Sequence, residues 1–313
     1  MKRCVACPIC GDRSGRRHAA PLAPFIRAWV QPDGPWPVCS FRCCQGCGLG
    51  FFEQRFDARE MTRLYGNYRS NDYLACRRRF EPWYTAALNQ ANLSPGVIAA
   101  RRSLLEAYLQ QQLPEPEADR VIVDLGGDAG QFIPTALGNA CYVLESSDRE
   151  PWPGVSRVDS MEAVCPAEQL LLICAHVLEH LSDPVQFLEG YLQQARVKAP
   201  RVVIYLEVPL ERFRFGPGTD SSLYRAYLER LQRPWLQWLW TPLDLLSLVA
   251  RRFLGVVVPP LFLKLHEHIN CFSEAALRRL IERLDLRLID LQVRHQSGRT
   301  GAEGIIRLLA VTP

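Results

Sequence analysis

Four short apolar runs constrain the fold of this 313-residue chain more than any other feature: Val121 to Asp124, Cys141 to Glu145, Leu170 to Ala175 and Val202 to Val208. Runs of four to seven residues rich in Val, Ile or Leu fit strands buried on both faces. The longer amphipathic segments between them fit crossovers, so the alternation predicts an α/β fold with a doubly wound parallel sheet. A polar, helical stretch from about 56 to 112 and the linker Pro114-Glu115-Pro116-Glu117 come before it. After it, Leu277, Leu280, Ile281 and Leu284 recur at helical spacing. Leu286, Leu288, Leu291 and Val293 then suggest a strand, which Ile305 to Val311 would join in a closing antiparallel pair.

The first run leads into Asp124-Leu125-Gly126-Gly127-Asp128-Ala129-Gly130, a carboxylate and a glycine-rich turn predicted to open a helix. Backbone and ligand can approach closely at such a turn. The second run ends in Glu145, 21 residues after Asp124. A carboxylate at a strand tip can accept hydrogen bonds from both hydroxyls of a ribose. Nicotinamide dinucleotides and S-adenosylmethionine are both compatible with this much.

Seven of the twelve cysteines fall in the first 47 residues, and two C-x-x-C hooks stand out, Cys7-Pro8-Ile9-Cys10 and Cys44-Gln45-Gly46-Cys47. Two thiolates two residues apart can reach one ion from a single turn, and two such turns complete a tetrahedral zinc shell. Gly11 and Gly48 follow the hooks, where a residue tolerant of unusual dihedrals is expected. Cys4, Cys39 and Cys43 compete as ligands, Cys43 as a substitute for Cys44. A closed four-thiolate site would be structural.

The run Asp124 to Gly130 resembles the cofactor loop of class I S-adenosylmethionine-dependent methyltransferases, and His176-Val177-Leu178-Glu179-His180-Leu181-Ser182-Asp183-Pro184 resembles the segment after their fourth strand. Leu206-Glu207-Val208-Pro209 and His266-Glu267-His268-Ile269-Asn270-Cys271-Phe272-Ser273 continue the likeness. The two cysteine hooks followed by Leu64-Tyr65-Gly66 are similar to the preface of one branch, which includes C-methyltransferases of nucleotide-linked keto-deoxy sugars. About 211 to 265 is left unmatched. The resemblance implies a Rossmann-like methyltransferase sheet that binds S-adenosylmethionine through Asp124, Gly126, Gly130 and Glu145, with Asp159 and Ser160 toward the adenine. It implies a structural zinc on the N-terminal module and a sugar or glycan precursor as acceptor. Two departures stand against the pattern. Asp128 replaces the family's middle glycine, and its charge would repel a methionyl carboxylate unless it turns outward. Glu168-Gln169-Leu170 replaces the usual Phe-Asp before the fourth strand. Both motivate an alternative reading, a non-catalytic zinc-stabilised scaffold.

Methyl transfer from a sulfonium is an in-line substitution that needs an aligned acceptor and, where the acceptor carries a proton, a base. In the sugar C-methyltransferases a His-Glu-His following a tyrosine serves deprotonation. Carried over, this makes Glu267 and His268 candidate catalytic residues, with Leu265 where the family has the tyrosine hydroxyl. His268 and Asn270 could instead fix the turn into a helix capped by Ser273. His176 is predicted at a strand tip facing the cofactor cleft as a third catalytic candidate. Glu179 and His180 are predicted to steady the loop before the helix start at Asp183-Pro184; no divalent cation is expected there.

The expected organisation is a zinc-binding module over 1–55, a helical linker region over 56–115 and a methyltransferase domain over 116–313 with a helical insertion at 211–265. That insertion carries Trp235, Trp238 and Trp240. It reads first as a cap, then as an oligomer interface, then as a surface admitting a lipid-linked glycan. Residues 234–265 are broken by Asp244, Arg251-Arg252 and Pro259-Pro260, so they cannot form one clean span of a bilayer but could lie against its surface. A net charge of +4, carried by scattered arginine pairs, gives no reason to expect nucleic acid as a partner. The opening MKRCVACPIC lacks a signal's apolar core, so the cysteines read as thiols of the cytoplasm.

Overall fold

A computed structural model describes residues 1–34, 37–113, 119–145, 149–295 and 304–313. The Pro114-Glu115-Pro116-Glu117 linker lies outside the described residues. The chain forms two compact units: Met1–Asn89 with Pro209–Ala276 and Arg294–Ile305, and Gln90–Val208 with Leu277–Val293 and Ile306–Pro313. They part at Asn89, within the expected linker region, and segment 211–265 clusters with the N-terminal residues.

The second unit is built on a seven-stranded sheet of β1 (Arg120–Leu125), β2 (Ala140–Leu144), β3 (Ser156–Val158), β4 (Gln169–Ala175), β5 (Arg201–Leu210), β6 (Arg287–His295) and β7 (Gly304–Val311), in the order β6-β7-β5-β4-β1-β2-β3. Neighbours from β3 through β5 run parallel. In β1, β4 and β5 the residues Val121 to Val123, Leu170 to Cys174 and Val202 to Leu206 are buried without alternation, because both faces are covered. Helix α1 (Pro95–Gln112) packs Leu105, Tyr108 and Leu109 onto Ile122, Leu171 and Val203. Each such side chain, taken from water, stabilises by about 1.5–3 kcal/mol. Helix α2 (Pro184–Lys198) starts as expected: Pro184 occupies the first turn and the Asp183 carboxylate accepts the Gln186 N–H at 2.9 Å. Helix α3 (Glu274–Arg283) occupies the C-terminal segment where helical spacing was read.

One expectation fails. The glycine-rich turn does not open a helix: between β1 and β2 the chain makes a single 3-10 turn, Thr135–Leu137. Only 14 residues join these parallel strands, near the shortest crossover that works. The loop itself takes five, and Pro134 interrupts the remainder, removing a donor and disfavouring the helical region for Ile133. Among the described residues the β2–β3 and β3–β4 connections also lack α-helices, so the doubly wound character is thin on this half of the sheet.

The first unit contains an antiparallel sheet in which Arg17–Pro21, Val38–Cys43, Gly50–Phe52 and Asn270–Cys271 are successive neighbours. Its core joins Phe25, Ile26, Phe41, Phe52 and Phe56 to Tyr73, Leu265 and Ile269. The helices Ser222–Leu231 and Gln237–Leu254 give Tyr224, Leu228 and Trp240 to a smaller cluster with Ala19 and Val38. Among the described residues no helix is long and apolar enough to cross a membrane.

Candidate functional site

The chain leaves β1 toward β2 and β3 on one side and returns through β4 to β5 on the other, so a topological switch point lies between β1 and β4. Ligands of open α/β sheets bind outside the carboxyl ends of the strands at such a point. Asp124, Gly126 and Gly130 sit at the end of β1, Glu145 just past β2, Asp159 and Ser160 just past β3, and His176 just past β4. Because these strands are parallel, all seven candidates share one edge of the sheet.

Gly126 has φ +73° and Gly130 φ +71°, left-handed values that favour glycine. A Cβ on Gly126 would lie 3.0 Å from Val177 Cγ2, so the loop touches the segment after β4, and one on Gly127 would overlap the Asp124 carboxylate. Burial pushes Asp124 up to about 7; Arg101 opposes the shift and Glu145 adds to it. Asp128 has φ +58°, which explains a glycine in the family's pattern and the tolerance of Asp here. Its carboxylate is paired with Arg149 (Nη1 to Oδ2, 2.9 Å), so the repulsive charge expected from the sequence has a counterion. The Asp128 N–H points to Glu145 Oε2 at 3.4 Å. Asp159 is exposed, and the Ser160 carbonyl accepts the Ala163 N–H of a 3-10 turn at 3.3 Å. A cavity of about 310 Å³ opens beside the loop among Leu93, Ile98, Ala129, Gln131, Arg149 and Trp152.

His176 also has φ +58°. Its ring is held between two carboxylates, Nε2 3.0 Å from Glu207 Oε1 and Nδ1 3.4 Å from Glu179 Oε1. Burial disfavours the imidazolium, but Glu179 and Glu207 outweigh it and lift the ring's pKa to about 9. Burial would raise Glu207, yet His176, Arg101 and the Tyr205 hydroxyl hold it near 2. At neutral pH this is a fixed cation, the opposite of what a general base requires. Tyr205 OH donates to Glu207 Oε2 at 2.5 Å and Arg101 Nη2 to Oε1 at 3.3 Å. Glu207 carried no assigned role in the sequence, although it stands in the Leu206-Glu207-Val208-Pro209 segment that continues the family likeness.

In the first unit, His268 and Glu267 point their chemistry in different directions. His268 Nδ1 lies 2.7 Å from Glu211 Oε1, and Cys271 Sγ donates to Glu211 Oε2 at 3.2 Å. Burial raises Glu211, but His268 and Arg251 pull it down to about 2, so the imidazole faces a permanent carboxylate. A carboxylate that biases His268 is therefore Glu211, 57 positions away in the sequence. Glu267 is buried, accepting from Tyr73 OH, from Tyr68 OH at 3.2 Å and from Arg77 Nη1 at 3.1 Å. Tyr68, from a turn, and Tyr73, from the helix Asn71–Phe80, supply hydroxyls that Leu265 lacks, nearly 200 positions away. Asn270 and Cys271 pair with Phe51 and Gly50, so this segment is a strand of the N-terminal sheet. Ser273 Oγ accepts the Ala276 N–H at 3.1 Å, the expected cap.

Cys7, Cys10, Cys44 and Cys47 converge, with one sulfur from each lying within 4.8 Å of the others. Cys7 and Cys47 sulfurs are 3.5 Å apart, as are those of Cys10 and Cys44. The hooks are equivalent turns, Gly11 N–H to Cys7 O at 2.9 Å and Gly48 N–H to Cys44 O at 3.1 Å. Gly11 and Gly48 have φ +75° and +72°. Cys43 is exposed, Cys39 is buried with its thiol pushed up to about 12, and the Cys4 thiol donates to the Ala6 carbonyl.

No curated protein matches the chain. Solved structures similar to it include a 1,6-didemethyltoxoflavin-N1-methyltransferase from Burkholderia thailandensis, 13% identical over 88% of this chain and 95% of that one with a TM-score of 0.43. A SAM-dependent methyltransferase from Leishmania major is 14% identical over 80% and 89%, TM-score 0.42. Magnesium protoporphyrin IX methyltransferase from Synechocystis is 11% identical over 80% and 96%, TM-score 0.38. The family model described as a methyltransferase domain matches residues 97–291, well over half of the chain. The chain belongs to the methyltransferase-domain family and is an enzyme that transfers methyl groups.

Proposed function

We propose that this enzyme uses S-adenosylmethionine to methylate a sugar or glycan precursor and that its N-terminal cysteines hold a structural zinc. The observation that carries the cofactor reading is the cradle Gly126-Gly127-Asp128-Ala129-Gly130 at the switch point, where added side chains would strike Val177 and Asp124. When bound, the cofactor supplies a methyl group activated on a sulfonium. Glu145 would accept hydrogen bonds from its ribose, Asp124, Gly126 and Gly130 would line its methionine part, and Asp159 with Ser160 its adenine. The missing helix removes the N-terminal dipole that would favour a carboxylate. Arg149, from the segment after β2, neutralises Asp128 beside that loop. His176 would act as a fixed charged donor rather than as a base.

His268, oriented and polarised by Glu211, is the base we assign for an acceptor that carries a proton. Glu267 we assign to holding that segment through Tyr68, Tyr73 and Arg77. The sugar acceptor rests on the resemblance of the His-Glu-His segment and cysteine hooks. Incubation with labelled cofactor and separate panels of nucleotide-linked sugars, RNA and protein tests it. Label in the sugar fraction is expected; label confined to RNA or protein would overturn the acceptor.

The thiol geometry fits zinc: four sulfurs at about 2.3 Å from one ion lie roughly 3.8 Å apart, close to the separations seen within each pair. Metal analysis is expected to give one zinc per chain. Chelation is expected to lower the unfolding temperature sharply, because such binding is folding free energy, of order 10 kcal/mol in isolated fingers. Metal-free protein with an unchanged melting curve would contradict the zinc.

A further inference from the structure

The helix Gln237–Leu254 is inside out. Its buried positions are Trp240, Asp244, Ser247 and Ala250, and two of these four are polar. Asp244 is tied to Lys264 at 2.5 Å, and Ser247 Oγ donates to the Leu243 carbonyl at 2.6 Å and accepts the Phe262 N–H at 3.0 Å. The opposite face is apolar and bare: Trp238, Leu246 and Phe253 are 71%, 55% and 73% exposed, with Leu245 and Val249 between them and Trp235 just ahead. A helix on the surface of a water-soluble protein shows the reverse. From Trp238 to Phe253 this bare face runs roughly 22 Å.

Charge narrows what could cover it. Between 230 and 263 the sequence holds one acid, the ion-paired Asp244, against Arg230, Arg233, Arg251 and Arg252. Arg230 and Arg233 are exposed at the N-terminal end, beside the two exposed tryptophans; at the C-terminal end Arg252 is half-buried and Arg251 acts on Glu211. A second copy of the chain meeting this face isologously would set the same arginines against one another. A bilayer with anionic headgroups complements both features. Its interface accepts Trp, Leu and Phe to a depth of about 5–10 Å while arginines meet the headgroups.

We propose that the exposed face of Gln237–Leu254 docks this enzyme on an anionic lipid surface, lying in the interface without crossing it. This docking is independent of the acceptor's identity. The test is sedimentation of the full chain with phosphatidylcholine vesicles, with or without phosphatidylglycerol, together with quenching of tryptophan emission by brominated acyl chains. The protein is expected to pellet only with phosphatidylglycerol, to be released by high salt and to be quenched. The double variant Leu246→Asp/Phe253→Asp, shown folded by circular dichroism, is expected to bind at least tenfold more weakly. Val197→Asp, at an exposed position of α2, is expected to bind as the parent does. Protein that stays in the supernatant with both vesicle types overturns the proposal. So does a stable dimer in solution that the double variant dissociates, which would make this face a self-association surface.

Discussion

His268→Ala is expected to lower kcat by roughly 10²- to 10⁴-fold, the usual contribution of a positioned general base, while changing cofactor affinity by no more than a few-fold. The expectation rests on the 2.7 Å contact between His268 Nδ1 and Glu211 Oε1. A carboxylate held down to about 2 stays ionised at any working pH and can stabilise the imidazolium that forms when the base takes a proton. Glu211→Gln keeps the shape and removes that charge, so it is expected to lower kcat by less than His268→Ala does. Glu267→Gln separates the two histidine-flanked roles. Glu267 binds Tyr68, Tyr73 and Arg77, so its loss is expected to appear in stability. Single-turnover rates and melting curves on the three variants check this, and unchanged turnover in His268→Ala removes His268 from the mechanism.

Glu53→Ala is expected to destabilise the first unit by about 3–5 kcal/mol, the cost of leaving a buried charge unpaired. Glu53 is fully buried and gathers three arginines: Arg42 Nη2 at 2.5 Å, Arg17 Nε at 2.7 Å and Arg3 Nη2 at 3.1 Å. Arg17 and Arg3 are half exposed and can turn to water, but Arg42 is buried and would be stranded. The loss is therefore expected to come mostly from Arg42, and Glu53→Ala/Arg42→Met to recover part of it. Burial raises the Glu53 pKa, yet the three guanidiniums outweigh this and hold it below the ordinary glutamate range. A depressed carboxylate stabilises above its unfolded pKa and loses that contribution as pH falls through its folded value. Acid unfolding monitored in the parent and the variant should show the parent's advantage shrinking as the pH drops below about 4.5.

The sheet was legible because strands buried on both faces cannot hide their composition: Val121 to Val123 and Leu170 to Cys174 read as continuous apolar runs and are found so. The four cysteines were legible because hook spacing is local, and the turns Cys7 to Gly11 and Cys44 to Gly48 need nothing distant to form. The helix expected after Gly130 does not form because the spacing of glycines says nothing about the room left before the next strand, and Pro134 interrupts what room there is. Glu211 could not be found as the partner of His268, since they are 57 positions apart and the sequence offered the adjacent Glu267 first. Tyr68 and Tyr73 reach Glu267 across nearly 200 residues, a pairing no periodicity encodes. The tryptophan-rich segment reads as helical from its composition, and first as a cap. That its buried face would include Asp244 and Ser247 follows only from Lys264 and Phe262 in the folded chain.

Calorimetric titration of the zinc-replete protein with S-adenosylmethionine and S-adenosylhomocysteine, beside Glu145→Ala, tests the central claim most directly. Saturable binding of both ligands is expected. Glu145→Ala should weaken it by tenfold or more, since each hydrogen bond to a charged group contributes about 1.5–3 kcal/mol. No binding up to roughly millimolar ligand, an affinity of only about 4 kcal/mol, would contradict the cofactor site and favour a zinc-stabilised scaffold that has lost it.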